Sequence, residues 1–230
     1  MEEAVICKGI KKTFGQGSSA TFALRGVDFA IHQQETVLIV GPSGSGKTTL
    51  LSIIGGILSC DEGSVSIYKE EISKFTEYQK DLYRKKNIGF IFQSFNLIPT
   101  LTAKENVAIP LILNDYSEKE AFDMSIAILS ELGLEDKVDR YPKQLSTGQQ
   151  QRVSIARGAV TKPPLILCDE PTSYLDAETG KSVMETLKQI QGENKCALIV
   201  VTHDPRIFDY ADRIEKIEDG QITPLKKESL

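Results

Sequence analysis

Three short runs in this 230-residue chain are almost wholly apolar: Thr36 to Val40, Leu165 to Cys168 and Ala197 to Val201. Such runs suit strands buried on both faces of a parallel sheet. Segments with helical apolar spacing follow the first two, which is the alternation of an α/β fold. Nearer the amino terminus, Ala4 to Ile10 and Leu24 to Ile31 alternate as an antiparallel sheet beside the parallel core would. Between Ser94 and about Ala159 the strand signal disappears. There Ser117 and Glu120 make an S-x-x-E capping box ahead of a helix carrying Ala121, Met124, Ile128 and Leu132, and Gly133 suits its stop. This stretch is expected to be a helical lobe inserted into the α/β domain.

Composition narrows the class without naming it. Apolar content of 40% and charged content of 26% are ordinary for a globular domain. A formal net charge of -5 argues against a nucleic-acid-coating surface, so the run Arg84, Lys85, Lys86 is expected to be a solvated patch. The start MEEAVICKG has no apolar h-region, so no signal peptide is expected, and no run approaches the roughly 18 apolar residues of a membrane span. Cys7, Cys60, Cys168 and Cys196 show no C-x-x-C pairing, which favours reduced thiols in a cytosolic chain.

The chemistry begins where the first apolar run ends. GPSGSGKT, Gly41 to Thr48, matches the phosphate-binding pattern G-x-x-x-x-G-K-[ST], with a strand before it and helical spacing (TTLLSIIGG) after it. Gly44 and Gly46 would let the backbone approach phosphate oxygens, Lys47 would reach the β- and γ-phosphates, and the Thr48 hydroxyl would ligate Mg²⁺. The loop therefore points to a bound nucleotide.

LILCDEPTSYLD, Leu165 to Asp176, adds two acids at the end of an apolar run. Asp169 suits Mg²⁺, and Glu170 would be free to polarise an attacking water as general base. Two acids at a strand end also fit a plain solvent-facing cap; a P-loop upstream favours function. LSTGQQQR, Leu145 to Arg152, is a second anion-accepting helix start, with the N–H groups of Ser146 and Gly148 as donors. His203, just past the third apolar run, could contact a γ-phosphate. Gln93, after the apolar FIF, could touch both metal and attacking water. Taken singly, each of these two side chains is more often structural.

Together these segments resemble the nucleotide-binding domain of ATP-binding cassette transporters over nearly the whole chain. GPSGSGKT, Gln93, LSTGQ, LILCDE, the loop ending in Asp176, and His203 stand in that family's order. The resemblance implies a single domain over 1–230. Residues 1–93 and 160–230 would form a P-loop NTPase core with an N-terminal antiparallel β subdomain, and about 94–159 the helical lobe. It implies ATP held by Gly41, Pro42, Ser43, Gly44, Ser45, Gly46, Lys47, Thr48 and Thr49, with Phe14 stacking on adenine. Thr48, Gln93 and Asp169 would serve the Mg²⁺. Glu170, His203, Gln93 and Lys47 would carry catalysis. Ser146, Thr147, Gly148 and Gln149 would close on the ATP of a second copy, with Asp176 in the dimer loop.

Within the family, FGQGSSATFALRGVDFAI and FIFQSFNLIPTLTAKENVAIPL look like the macrolide-exporter and lipoprotein-release subgroup. That likeness implies an ATPase dimerising on ATP to drive export, extraction or mechanical work by a separate membrane permease. The chain would sit in the cytoplasm, peripheral to the inner face of the membrane. Phe95, Leu97, Ile98 and Pro99 would contribute to the groove that receives a short permease helix. Two residues depart from the family pattern: Thr147 replaces the first glycine of L-S-G-G-Q, and Tyr174 fills a position that is usually small. A β-branched Thr147 restricts the backbone and could weaken approach to the partner's γ-phosphate, but Ser146, Gly148 and Gln149 remain, so activity is expected to survive. A chromosome-maintenance ATPase would need long heptad-rich coiled coils, a translation factor two cassettes, and a GTPase the N-K-x-D element; the sequence shows none of these.

Overall fold

All three apolar runs fold as strands buried at every position. The computed structural model describes residues 2–225, with Ser18 described for its backbone alone; Met1 and 226–230, the ends of the expected 1–230 range, lie outside the described residues. In chain order the elements are β1 (Glu3–Phe14), β2 (Thr21–His32), β3 (Thr36–Val40), α1 (Lys47–Ile54), β4 (Glu62–Ile67), β5 (Glu70–Glu71), α2 (Glu77–Asn87) and β6 (Ile88–Ile91). There follow α3 (Ala103–Leu113), α4 (Glu118–Glu131), α5 (Thr147–Ala159), β7 (Leu165–Asp169), α6 (Ala177–Asn194), β8 (Ala197–Thr202), β9 (Arg213–Glu218) and β10 (Gln221–Leu225). Two compact units emerge, Met1–Arg84 with Ala197–Leu230, and Lys85–Cys196.

The first unit holds the expected antiparallel sheet, in the order β2-β1-β4-β5. Cys7 stands opposite Phe29 and Ile10 opposite Val27, with bulges between, and these apolar side chains are buried. A second set of strands runs β10-β9-β3-β8, with β3 parallel to both β8 and β9. Polar residues anchor one end of this set. Thr36 N–H donates to Asp212 Oδ2 at 2.7 Å, and Arg213 Nε donates to Glu35 Oε1 at 2.9 Å while also pairing with Glu215. Burial raises the Glu215 carboxyl above its usual range against the pull of Arg213. The charges in EGSVSI (β4) and RIEKIE (β9) are why neither strand stands out in the apolar pattern.

In the second unit β6 and β7 run parallel, from Ile88 opposite Leu165 to Ile91 opposite Cys168. Between these strands lie helices and connecting loops, and α3, α4 and α5 bury a shared core that includes Val107, Leu111, Leu129, Leu134 and Val153. The Ser117 capping box forms: Ser117 Oγ accepts from Glu120 N–H at 3.3 Å, and Glu120 Oε2 accepts from Ser117 N–H at 3.0 Å. Gly133 follows α4 at φ +67, the left-handed stop that glycine supplies without penalty. Capping boxes at Thr102/Glu105 and Ser146/Gln149 start α3 and α5 in the same way. All four cysteines are free thiols, and burial pushes Cys196 up to about 11.

One buried amide holds the loop ahead of α3. Asn106 accepts from Ile98 N–H at 2.7 Å and donates to the carbonyls of Ile98, Leu101 and Thr102 at 3.0–3.1 Å. Its truncation strands several backbone groups away from water. We therefore expect Asn106→Ala to lower unfolding stability by about 2–3 kcal/mol in equilibrium urea titrations. A loss below about 0.5 kcal/mol would contradict this account of the loop.

Candidate functional site

In the first unit the P-loop leaves β3 at Gly41. A Cβ there would lie 2.1 Å from the Ile217 carbonyl oxygen of β9, so only glycine fits. Gly46, at φ +105, caps the start of α1, and a Cβ on it would lie 2.5 Å from the Ala23 carbonyl. Gly44 sits at φ +79 with open space where a Cβ would be. The glycines thus divide their work: Gly41 and Gly46 admit close chain packing, and Gly44 supplies left-handed backbone on the open side.

The polar groups of this loop suit a phosphate. Lys47 is buried, and its ammonium donates to the carbonyls of Gly41 at 2.8 Å and Pro42 at 2.9 Å. Ser45 Oγ is buried with no hydrogen-bond partner among the described residues, an orphan that fits a ligand bringing acceptor oxygens. Thr48, Pro42 and Ser43 are exposed, and Thr49 is half-buried.

His203 comes to the same edge. β8 runs parallel to β3 with Thr202 opposite Val40, so His203 and Gly41 leave adjacent strands at one level. The turn beyond it is fixed by Asp204, which accepts from Arg206 Nε and Nη2, each at 2.8 Å, and donates its own N–H to Thr202 Oγ1. Phe14 ends β1 with its ring 45% exposed, open enough for a flat ligand to stack on, and Lys12 Nζ lies 5.8 Å from its centroid.

In the second unit Gln93 and the two acids meet by the same logic. Ile91 stands opposite Cys168, so Gln93, Asp169 and Glu170 all follow the carboxyl ends of paired parallel strands. This is where an open α/β sheet gathers ligand-binding loops. Asp169 and Glu170 are nearly buried. Glu170 adopts φ +49, a strained region for a residue with a side chain, and its carbonyl accepts from Ser173 Oγ at 2.8 Å. Asp176 caps α6 by accepting from Thr179 N–H at 3.0 Å, which holds its carboxyl below the usual range.

Ser146 and Thr147 are exposed at the start of α5. The Ser146 N–H, expected as an anion donor, is here donated to Gln149 Oε1 at 2.9 Å, because the capping box uses it. Thr147 is the first residue of the helix and avoids the left-handed region, so a β-branched side chain is accommodated. Gly148 is the position that must stay small: a Cβ would lie 2.6 Å from the Thr179 methyl at the start of α6. Tyr174 is exposed and sets its ring edge-on to Phe95, centroids 6.1 Å apart.

Motif reading missed what holds the loop after Gln93. Phe95 and Asn96 lie at φ +60 and +48. From α5, Ser154 Oγ donates to the Phe95 carbonyl at 3.2 Å, and Arg157 donates to the Phe95 and Asn96 carbonyls, each at 2.6 Å. Burial lowers the pKa of the Arg157 guanidinium, as desolvation of a charge must. These are long-range contacts, and no local motif in the sequence marks them.

Residues 24–173 match the ABC transporter family. The chain is 44% identical over 220 residues to the putative hemin import ATP-binding protein HrtA of Staphylococcus haemolyticus, covering 95% of this chain and 99% of that protein. Its counterpart in Staphylococcus aureus is 41% identical, with 96% and 99% covered. A dimeric structure of the ATP-binding cassette MJ0796 in a post-hydrolysis state with ADP and Pi superposes with a TM-score of 0.89 at 40% identity, over 96% of this chain and 99% of that one. CbiO1 from Clostridium perfringens, part of the ABC transporter complex cbiONQ, gives 0.85 at 26% identity, over 97% and 88%.

The chain belongs to the ABC transporter family. It is an ATP-binding, ATP-hydrolysing transporter subunit, and its relatives agree with the resemblance to the macrolide-exporter and lipoprotein-release subgroup. No helix among the described residues is long and apolar enough to cross a membrane.

Steric closure at Gly41 yields a stability test. Gly41→Ala, meeting backbone, should cost more than about 3 kcal/mol in a thermal melt without nucleotide, whereas Gly44→Ala should cost about 1–2 kcal/mol for its left-handed φ. The reverse order would show that the strand end is looser than described.

Proposed function

We propose that two copies of this chain close head to tail around ATP, each nucleotide lying between the P-loop of one copy and the Ser146–Gln149 helix start of the other. The observation that carries this reading is that one chain presents two anion-accepting helix starts, α1 after Gly46 and α5 after Ser146. The two starts are far apart in sequence, and they serve one nucleotide when they come from different molecules. The dimeric form of the MJ0796 cassette supports it.

In this reading Gly41 to Thr49 cradle the phosphates, Lys47 neutralises the β- and γ-phosphates, and Phe14 stacks on the adenine. Ser146, Thr147, Gly148 and Gln149 contact the γ-phosphate from the partner copy, across a dimer loop that includes Asp176. Thr48, Gln93 and Asp169 offer a hydroxyl, an amide and a carboxylate, the hard oxygen donors that Mg²⁺ takes alongside substrate phosphates. The cation would supply neutralisation of phosphate charge. Glu170 accepts the proton of the attacking water, Gln93 orients that water, and His203 donates to the γ-phosphate. Hydrolysis weakens the bridge and lets the copies part, so the difference in affinity between open and closed forms performs the work.

The work passes to a separate membrane permease, which places this chain at the cytoplasmic face of a membrane. The lobe at about 94–159, entered through Phe95, Leu97, Ile98 and Pro99, receives a helix of that permease. Cargo choice belongs to the permease. Likeness to a hemin import ATP-binding protein makes a haem-type molecule the first cargo to assay, against the export or extraction that the subgroup suggests.

Glu170→Gln should bind Mg-ATP, hydrolyse it on the order of 10²–10⁴-fold more slowly, and accumulate as dimers in light scattering. A variant that stays monomeric with ATP and turns over at the parental rate would remove Glu170 from the general-base role.

A further inference from the structure

On α5, Gln151 is 1% exposed, and neither its amide nitrogen nor its amide oxygen has a hydrogen-bond partner among the described residues. A fully buried amide with both groups unpaired is rare, because each group loses water with nothing in return. The packing of α5 shows where it lies. One turn earlier, Gly148 faces Thr179 at the start of α6; two turns later, Gly158 faces Ile91 of β6, where a Cβ would lie 2.9 Å from Ile91 Cγ1. Residues at these spacings share one face of a helix. Ser154, the next residue along the adjoining face, binds the Phe95 carbonyl. Gln151 therefore sits on the α5 face between the start of α6 and the end of β6.

Two loops leave the elements on either side of it: 170–176, which carries Glu170, and 92–96, which carries Gln93. They meet through the edge-on rings of Phe95 and Tyr174. Both hold non-glycine residues in the left-handed region, Glu170 in one and Phe95 and Asn96 in the other. Backbone held this way is strained, and strain of this kind collects at segments with two arrangements. A primary amide has donors and an acceptor, so a single side chain can satisfy a carbonyl on one loop and an N–H on the other.

We propose that Gln151 is a positioning residue for ATP hydrolysis: in the ATP-closed form its amide bridges the backbones of loops 170–176 and 92–96, and so fixes Glu170 relative to Gln93. The inference rests on the roles proposed above for those two residues. It explains why a polar side chain occupies a position where an apolar one of equal size would fill the same space.

Gln151→Leu and Gln151→Met keep the volume and remove both polar groups. The expected result is a melting temperature unchanged or raised, an unchanged KM for ATP, and a kcat lowered roughly tenfold or more. Hydrogen exchange supplies a readout independent of turnover. In a Glu170→Gln background, Mg-ATP should slow exchange in 92–96 and 170–176. Adding Gln151→Leu should abolish that slowing while leaving protection of 41–49 intact. Parental kcat with parental protection would overturn the proposal, as would a lowered melting temperature with kcat unchanged, which marks a structural amide. Glu170→Gln alone serves as the control: if it hydrolyses ATP at the parental rate, the Glu170 role itself falls, and Gln151 takes no part in that result.

Discussion

Much of the chemistry proposed for this chain hangs on strands that have no wet face. β3, β7 and β8 are buried along their length, so polar function is expelled to the carboxyl ends, where the backbone first reaches open space. Parallel register then does the gathering. Val40 opposite Thr202 brings the P-loop and His203 to one level; Ile91 opposite Cys168 does the same for Gln93, Asp169 and Glu170. At Gly41 the constraint is tightest, since the Ile217 carbonyl occupies the space a side chain would need. The turn that opens the proposed phosphate-binding loop is thus shaped by how closely β3 and β9 approach.

Much of this was legible in the chain, and for stated reasons. The three apolar runs announce strands because burial on both faces erases alternation. The Ser117 box announces a helix start because its two hydrogen bonds are local in sequence. What stayed hidden depends on distant partners. β6 is only four residues with a glycine among them, β4 and β9 carry charges, and β10 is a short run broken by a proline. The Asn106 clamp, the grip of Arg157 on the loop after Gln93, and the unpaired Gln151 amide exist only once α3 and α5 are packed. Even the glycine reasoning needed the fold: Gly46 looked reserved for phosphate, yet Ala23 is what excludes its Cβ.

The two departures from the family pattern have different weight. Thr147 stands in helical backbone at the first turn of α5, where a side chain fits, and the crowded glycine is the next residue, against the Thr179 methyl. Tyr174 is more than a tolerated substitution, because its ring engages Phe95 and joins the loop of Glu170 to the loop of Gln93. Those loops carry the proposed base and the proposed water ligand, and the helix that pins one of them begins with the residues proposed to meet the partner copy's ATP. Within the second unit, α5, the loop of the proposed base and the loop of the proposed water-orienting glutamine are therefore joined by direct contacts.

The central claim is that each ATP is completed by a second chain. Its most direct measurement is complementation between two inactive variants, Lys47→Ala with a disabled P-loop and Ser146→Arg with a blocked helix start. Each alone should be without ATPase activity. Mixed, they should regain it, because half of each mixed dimer unites an intact P-loop with an intact helix start. If the mixture stays as inactive as its components while mixed dimers form, the two phosphate sites do not serve a shared nucleotide and the account is wrong.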